Sequence, residues 1–182
     1  MEIIRRWSEA HGVQDIATPY SVFVALGSNL GDSTSILAEA MERLEGLSAG
    51  RVRRSSFWST SPVDCPPGSP PFVNAVVALT PAAGETPESL LGKLQELERE
   101  FGRRPKKVMN EPRPLDLDII AWGGETRSTP SLTLPHPRAA KRQFVLRPLA
   151  EIAPELVWPG TRKPVAALLA QLRTDEEIRR LE

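Results

Sequence analysis

The hydrophobic positions of this chain fall into short runs whose period switches between two and about 3.6 residues, the signature of strands alternating with helices. Residues 20–26 (YSVFVAL) form an apolar, β-branched run, read as a buried strand. It passes into Gly27-Ser28-Asn29-Leu30-Gly31-Asp32, where Asp32 or Ser33 can cap a helix over 34–45. Ile36, Leu37, Ala40, Met41 and Leu44 stand at helical spacing there, and Gly46 closes the helix. Residues 52–60 alternate as a second strand and residues 72–80 (FVNAVVALT) as a third. Between them, residues 61–71 hold five prolines and Gly68, a stiff loop of polyproline character.

Thr86-Pro87 opens a second helix, with a cap followed by proline at the first position. Leu90, Leu94, Leu97 and Phe101 make its buried stripe, and Gly102 ends it. Glu98 lies on the border of that stripe, about 80° from its centre. It reads as a half-exposed salt-bridge former or as a group facing a cleft. Residues 145–152 predict a short helix broken at Pro154, and residues 165–172 and 176–181 two closing helices. Residues 1–19 form a peripheral extension, in which Ile3, Ile4 and Trp7 can line one face of a short helix before Gly12 and Pro19. No repeat or linker divides the rest, so residues 20–182 read as one domain. The order strand–helix–strand–strand–helix–strand predicts an α+β, ferredoxin-like fold, an antiparallel sheet with flanking helices on one face.

The fourth strand carries the strongest chemical signal. In Pro112-Arg113-Pro114-Leu115-Asp116-Leu117-Asp118-Ile119-Ile120, the period of two sends Leu115, Leu117 and Ile119 one way and Asp116 and Asp118 the other. Two residues along a strand rise about 6.6 Å, so both carboxylates can converge on one site. Carboxylates within a hydrophobic strand need a positive partner. A Lys or Arg salt bridge is one. A hard divalent cation such as Mg2+ is the other, since it takes one or two carboxylates together with phosphate oxygens and water. Arg113, at the entrance of the strand, can hold an anion beside that cation.

Composition narrows the classes. The chain has 182 residues, 40% hydrophobic and 25% charged, enough for a sizeable core. Lys+Arg and Asp+Glu are both 23, so bulk charge does not recruit nucleic acid and any anion site must be local. One cysteine, Cys65, and two histidines exclude an intrachain disulfide and a Cys/His zinc site, as expected of a cytoplasmic protein. No apolar run approaches a membrane span, and Arg5, Arg6, Glu9 and His11 interrupt any signal-peptide-like run. The phosphate-loop pattern G-x-x-x-x-G-K-[ST] is absent after Gly27.

Further candidates lie in the loops. Arg103, Arg104, Lys106 and Lys107 surround Pro105 and make either a solvated loop or a mobile cationic lid over polyphosphate. Asn74 is either a capped strand amide or one that pairs with a heterocycle's donor–acceptor edge. His136 is held between Pro135 and Pro137, and Arg142 and Phe144 stand two apart, so a cation and a ring can serve one pocket.

Four segments together resemble one family. They are Ala25-Leu26-Gly27-Ser28-Asn29-Leu30-Gly31, Phe72-Val73-Asn74-Ala75, Pro112 through Asp118, and Pro135-His136-Pro137-Arg138 through Arg142-Gln143-Phe144-Val145-Leu146. In this order and spacing the chain is similar to 6-hydroxymethyl-7,8-dihydropterin pyrophosphokinases of folate biosynthesis, over roughly residues 21–160. The resemblance implies a ferredoxin-like fold and transfer of the pyrophosphoryl group of ATP to a pterin hydroxymethyl, releasing AMP. It implies that Asp116 and Asp118 bind two Mg2+ ions. Glu98, Arg113, Ile119, His136 and Arg142 fall at ATP-side positions. Thr60, Val63, Phe72, Asn74 and Phe144 fall at pterin-side positions. Arg103, Arg104, Arg113 and Arg142 would be the catalytic cations. A cytoplasmic monomer acting on ATP and the pterin, without nucleic acid or membrane, is expected.

The chain departs from the family pattern at four places. Asn110-Glu111 replaces a frequent Trp-Gly, Pro137 and Phe72 replace frequent tyrosines, and Pro105 occupies the position of a loop arginine. The rival readings are a nucleotide-binding ferredoxin-like module, an Mg2+-dependent nucleotide hydrolase built on the same carboxylates, and, more remotely, a Cys65–His136 nucleophile pair.

Overall fold

Strand β1 (Val22–Ser28) is apolar on both faces, and both faces are covered. The computed structural model of the chain describes residues 22–62, 67–104 and 111–182. The extension over 1–19, the strand start at Tyr20, and Val63, Cys65, Pro105, Lys106, Lys107 and Asn110 lie outside those residues.

After β1 come helix α1 (Ser33–Glu45), strands β2 (Arg53–Arg54), β3 (Trp58–Thr60) and β4 (Phe72–Leu79), and helix α2 (Pro87–Glu100). Strand β5 (Asp116–Trp122) follows, with a two-stranded ribbon of β6 (Arg127–Ser128) and β7 (Thr133–Leu134). Beyond a 3₁₀ turn at Ala139–Lys141 lie α3 (Gln143–Ile152), the ribbon of β8 (Val157–Trp158) and β9 (Lys163–Pro164), α4 (Val165–Gln171) and β10 (Ile178–Arg180). The main sheet runs β10-β3-β4-β1-β5, with β2 also on β4, and every pairing is antiparallel. This is the split βαβ order predicted from the pattern, with β4 and β1 inside the sheet and β5 at one edge.

Both predicted caps form. Asp32 accepts the Ser35 N–H at 3.1 Å, and Thr86 Oγ1 accepts the Ser89 N–H at 3.1 Å. The stripes Leu37, Ala40, Met41, Leu44 and Leu90, Leu94, Leu97 then bury against Val24, Leu26, Val77, Leu115, Leu117 and Ile119. Each leucine and the methionine among them contributes about 1.5–3 kcal/mol on leaving water.

The sequence differs from the structure in four places. Helices were expected on one face, but α3 and α4 cover the other, where Phe23, Val76, Ala78 and Ile120 meet Val145, Leu146, Leu149 and Val165. The strand over 52–60 is broken into β2 and β3, because Ser55 turns its side chain inward and its hydroxyl oxygen accepts the Val76 N–H at 2.9 Å. The helix expected over 145–152 begins at Gln143. The closing helix expected over 176–181 is instead strand β10, paired with β3 through Ile178↔Thr60 and Arg180↔Trp58. A six-residue stretch is too short to be stable as a lone helix, and the unpaired edge of β3 offers it a ladder.

Candidate functional site

The site follows from register. β1 pairs Gly27 with Asn74 on one side and with Asp116 on the other, and β3 pairs Trp58 with Asn74. Directly opposed residues in antiparallel strands share a face. Asp116, Gly27, Asn74 and Trp58 therefore form one row across the sheet, on the side covered by α3. Gly27 leaves the middle of that row without a side chain. A Cβ placed there would lie 3.5 Å from Asn74 Oδ1.

At the β5 end, Asp116 accepts from Arg103 Nη1 at 2.6 Å and from Arg113 Nη1 at 3.0 Å. Arg103 also pairs with Glu98. Burial alone would lower the Arg103 pKa, but the Asp116 and Glu98 carboxylates outweigh it and leave it raised. Arg113 Nε is buried and finds no hydrogen-bond partner among the described residues. Glu98 is 7% exposed, more buried than its helical angle predicts, because the C-terminal end of α2 reaches the edge of β5. Its Oε1 accepts the Leu117 N–H at 2.7 Å. Burial pushes its carboxyl up to about 7, against the pull of the Leu117 amide and Arg103.

Asp118 is half-buried on the same face. Burial and the neighbouring Asp116 charge raise its pKa, while His136, Arg142 and Arg103 draw it back. Asp118 makes no salt bridge within 4.0 Å among the described residues, unlike Asp116. His136 donates its backbone N–H to Ile120 O at 2.9 Å, which fixes the 135–138 segment on the open edge of β5. Its Nδ1 accepts the Arg138 N–H at 3.3 Å, so the neutral ring carries its proton on Nε2. Burial lowers the imidazole pKa against the opposing charge of Asp118. Burial and Arg138 likewise lower that of Arg142, whose guanidinium stands 5.2 Å from the centroid of the Phe144 ring. That is a cation–π distance.

At the β3 end, Asn74 donates to Thr60 Oγ1 at 2.9 Å, so its nitrogen is held and its oxygen lies over Gly27. Phe72 opposes Thr60 and is half-buried. Glu98, Arg103, Arg113, Asp116, Asp118, His136 and Arg142 thus gather around the lower part of β5, with Thr60, Phe72, Asn74 and Phe144 placed from β3, β4 and α3. Two expected residues are not brought in. Ile119 is buried among the α1 and α2 side chains on the opposite face, which leaves only its backbone beside the site. Arg104 is exposed. Val63 lies outside the described residues.

Asn29 was not singled out by the sequence. It is 2% exposed and holds the Arg113 backbone twice: its N–H donates to Arg113 O at 3.1 Å, and its side-chain Oδ1 accepts the Arg113 N–H at 2.9 Å. Its Nδ2 reaches Pro70 O at 3.4 Å. The signal was an amide set between glycines at the end of a strand. A groove of about 540 Å3 elsewhere, between α3 and α4, is lined by residues such as Arg147, Ala150, Pro154 and Leu169 and holds none of these groups.

The donor set fits a hard cation. Among the described residues no group of three or more His, Cys, Asp or Glu side chains converges as a metal cage. Mg2+ needs no such cage when phosphate oxygens complete its shell, and two carboxylates suffice.

A family model described as 7,8-dihydro-6-hydroxymethylpterin-pyrophosphokinase (HPPK) matches residues 23–154. A Synechocystis protein named 2-amino-4-hydroxy-6-hydroxymethyldihydropteridine pyrophosphokinase is 37% identical over 153 residues, 84% of this chain and 76% of that protein. A Porphyromonas gingivalis protein of the same name is 40% identical over 139 residues, 74% of this chain and 92% of its own length. The folic acid synthesis protein fol1 of Pneumocystis carinii is 34% identical over 159 residues, but this chain spans only 21% of it. The fold is shared with an HPPK-DHPS structure from Plasmodium falciparum, at a TM-score of 0.66 and 13% identity over 87% of this chain and 45% of that one.

Proposed function

The chain belongs to the 7,8-dihydro-6-hydroxymethylpterin-pyrophosphokinase family, and from that premise we propose how its own residues divide the work. The enzyme transfers the pyrophosphoryl group of ATP to the hydroxymethyl oxygen of 6-hydroxymethyl-7,8-dihydropterin in folate biosynthesis, releasing AMP. The observation that supports this assignment of roles is the row Asp116–Gly27–Asn74, one sheet face that carries the residues proposed for the polyphosphate and for the heterocycle.

Asp116 and Asp118 would hold Mg2+, two ions in this reading, which neutralises triphosphate charge when bound. Arg113 offers the triphosphate its unpartnered Nε. Arg103 exchanges its pairing with Asp116 for a phosphate oxygen, and Arg142 supplies a third guanidinium. His136, neutral and held on the edge of β5, donates from Nε2 to the nucleotide. Asn74, with its nitrogen fixed by Thr60, presents its oxygen to the N–H edge of the pterin. Phe144 stacks on the pterin ring and carries Arg142 against its other face. The protein's task is positioning and charge neutralisation, because phosphoryl-type transfer needs little covalent help. A cytoplasmic monomer belongs to the same proposal, and light scattering on a sizing column reads its oligomeric half.

A product assay tests the reading. Purified protein, ATP, Mg2+ and the pterin are incubated and the nucleotides separated by chromatography. Pterin-dependent AMP that vanishes in Asp116→Ala is the expected result. ADP formed without pterin would indicate the hydrolase instead, and nucleotide binding without turnover the binding module.

A further inference from the structure

The C-terminal segment lies past residue 154, where the family match ends, yet it reaches both walls of the pterin end of the site. On one side β10 pairs with β3. The ladder is continued by Ser61 N–H to Glu177 O at 3.4 Å and Leu181 N–H to Phe57 O at 2.8 Å. Arg180 adds a bond from Nε to Ser56 Oγ at 2.9 Å. The last residue of β3 so held is Thr60, which fixes the Asn74 amide.

On the other side the same segment grips the start of α3. The Glu176 carboxylate accepts the Gln143 backbone N–H at 3.2 Å. The Gln143 side chain, in the orientation that satisfies both its ends, donates to the Glu176 carbonyl oxygen at 3.1 Å and accepts from Arg147 Nε at 3.3 Å. Gln143 stands between Arg142 and Phe144. No side chain of Arg142, the residue at the cap position of α3, bonds the first turn. Glu176 therefore does from a distant part of the chain what an N-cap side chain does locally. It satisfies an orphan N–H and places a negative charge at the positive end of the helix.

We propose that Glu176 is a positioning residue for the pterin subsite: through it the C-terminal segment holds the first turn of α3, with Phe144, at a set distance from Thr60 and Asn74. This rests on the reading that Thr60, Asn74 and Phe144 take the pterin. ATP depends on it less, because only Arg142 of its proposed partners stands at the start of α3, whereas Asp116, Asp118, Arg113 and His136 are anchored on and beside β5. Residues 177–181 fix the segment to β3, and Glu176 is the link from that anchor to the helix.

The test uses the full chain with Glu176→Ala and Glu176→Gln. Calorimetry measures affinity for 6-hydroxymethyl-7,8-dihydropterin in the presence of Mg2+ and a non-hydrolysable ATP analogue. Hydrogen exchange on the unliganded proteins follows the peptide over 143–146, with α1 as internal reference. The expected result for Glu176→Ala is faster exchange over 143–146 alone and a pterin affinity weakened about tenfold, with analogue affinity, to which Arg142 contributes, weakened much less. Glu176→Gln, which keeps an acceptor oxygen, restores most of the pterin affinity. Unchanged exchange overturns the contact. Faster exchange with unchanged pterin affinity overturns the positioning role and leaves a merely structural one. Equal weakening for pterin and analogue overturns its specificity for the subsite. AMP formation by the wild type is scored separately: pterin that binds without turnover defeats the proposed reaction while the affinity comparison still decides the role of Glu176. Wild-type protein that binds no pterin overturns both.

Discussion

The carboxylate of Glu98 accepts the backbone N–H of Leu117 at 2.7 Å, so a helix side chain closes an amide on the free edge of the strand that carries Asp116 and Asp118. An edge amide left open there would be free to pair with another chain. Glu98 also receives Arg103, which links the end of α2 to Asp116 through one guanidinium.

Glu98→Ala removes the acceptor and leaves the buried Leu117 N–H unpaired. It should lower stability by about 1–3 kcal/mol, whereas Glu98→Gln, which retains an oxygen, should cost less. Urea denaturation of both variants reads the difference. Equal losses would mean that the charge facing Arg103, rather than the bond to Leu117, is what matters.

Gly27→Ala should separate folding from function. Its Cβ would meet Asn74 Oδ1 at 3.5 Å, an ordinary contact, and β1 needs no unusual backbone at this position. The thermal midpoint should therefore stay within a few degrees. The methyl group would stand on the sheet face between Asn74 and Asp116, and the KM for the pterin should rise by about tenfold. Steady-state kinetics with each substrate varied in turn checks this. An unchanged KM for the pterin would mean that the ring does not lie over Gly27.

Glu151 provides a pH-dependent contribution at the Trp58 end of the row. Its carboxyl is partly buried, which would raise its pKa. The Ser56 hydroxyl and N–H, Trp58 Nε1–H and the Arg180 charge outweigh this and hold it below the ordinary value of 4.5. A depressed folded value means that stability is present in full above the unfolded value and is lost as pH falls through the folded one. The gap in urea midpoint between wild type and Glu151→Gln should be constant from about pH 8 to pH 6 and shrink below about pH 4.5. A gap that widened in acid would contradict the assignment.

The legible parts of the structure are those governed by local rules. Asp32 and Thr86 cap because their side chains satisfy amides three residues on. Leu115, Leu117 and Ile119 go inward because a strand alternates. The illegible parts depend on distant partners. Ile178 and Leu181 stand three apart, a spacing shared by one turn of helix, and only the free edge of β3 decides for a strand. Ser55 breaks its strand through a bond to Val76, twenty-one residues on. Glu98 had a known helical angle, but whether that angle met water or β5 depended on where the edge strand was laid. In the site, Asp116, Asp118 and Arg113 could be read as a cluster from spacing. The Asp116–Gly27–Asn74 row required the register of three strands, which no local pattern specifies.

Asp118 should show a conflict between stability and activity. It lies beside Asp116, is half-buried, and makes no salt bridge within 4.0 Å among the described residues, whereas Asp116 is held by Arg103 and Arg113. Burial and a like charge both disfavour its ionised form. A group that the ligand-free fold tolerates at a cost, and that suits a divalent cation, is expected where function rather than stability set the residue. Asp118→Asn keeps the shape and removes the charge. In metal-free buffer its urea midpoint should equal or exceed that of the wild type. With Mg2+ and ATP, AMP formation should fall about a thousandfold, the size set by losing several kcal/mol of charge stabilisation. Protection of the fold by Mg2+ and ATP together should also be weaker in the variant. A large drop in metal-free stability would instead make Asp118 a structural carboxylate matched to His136 and Arg142, and would remove it from the metal site.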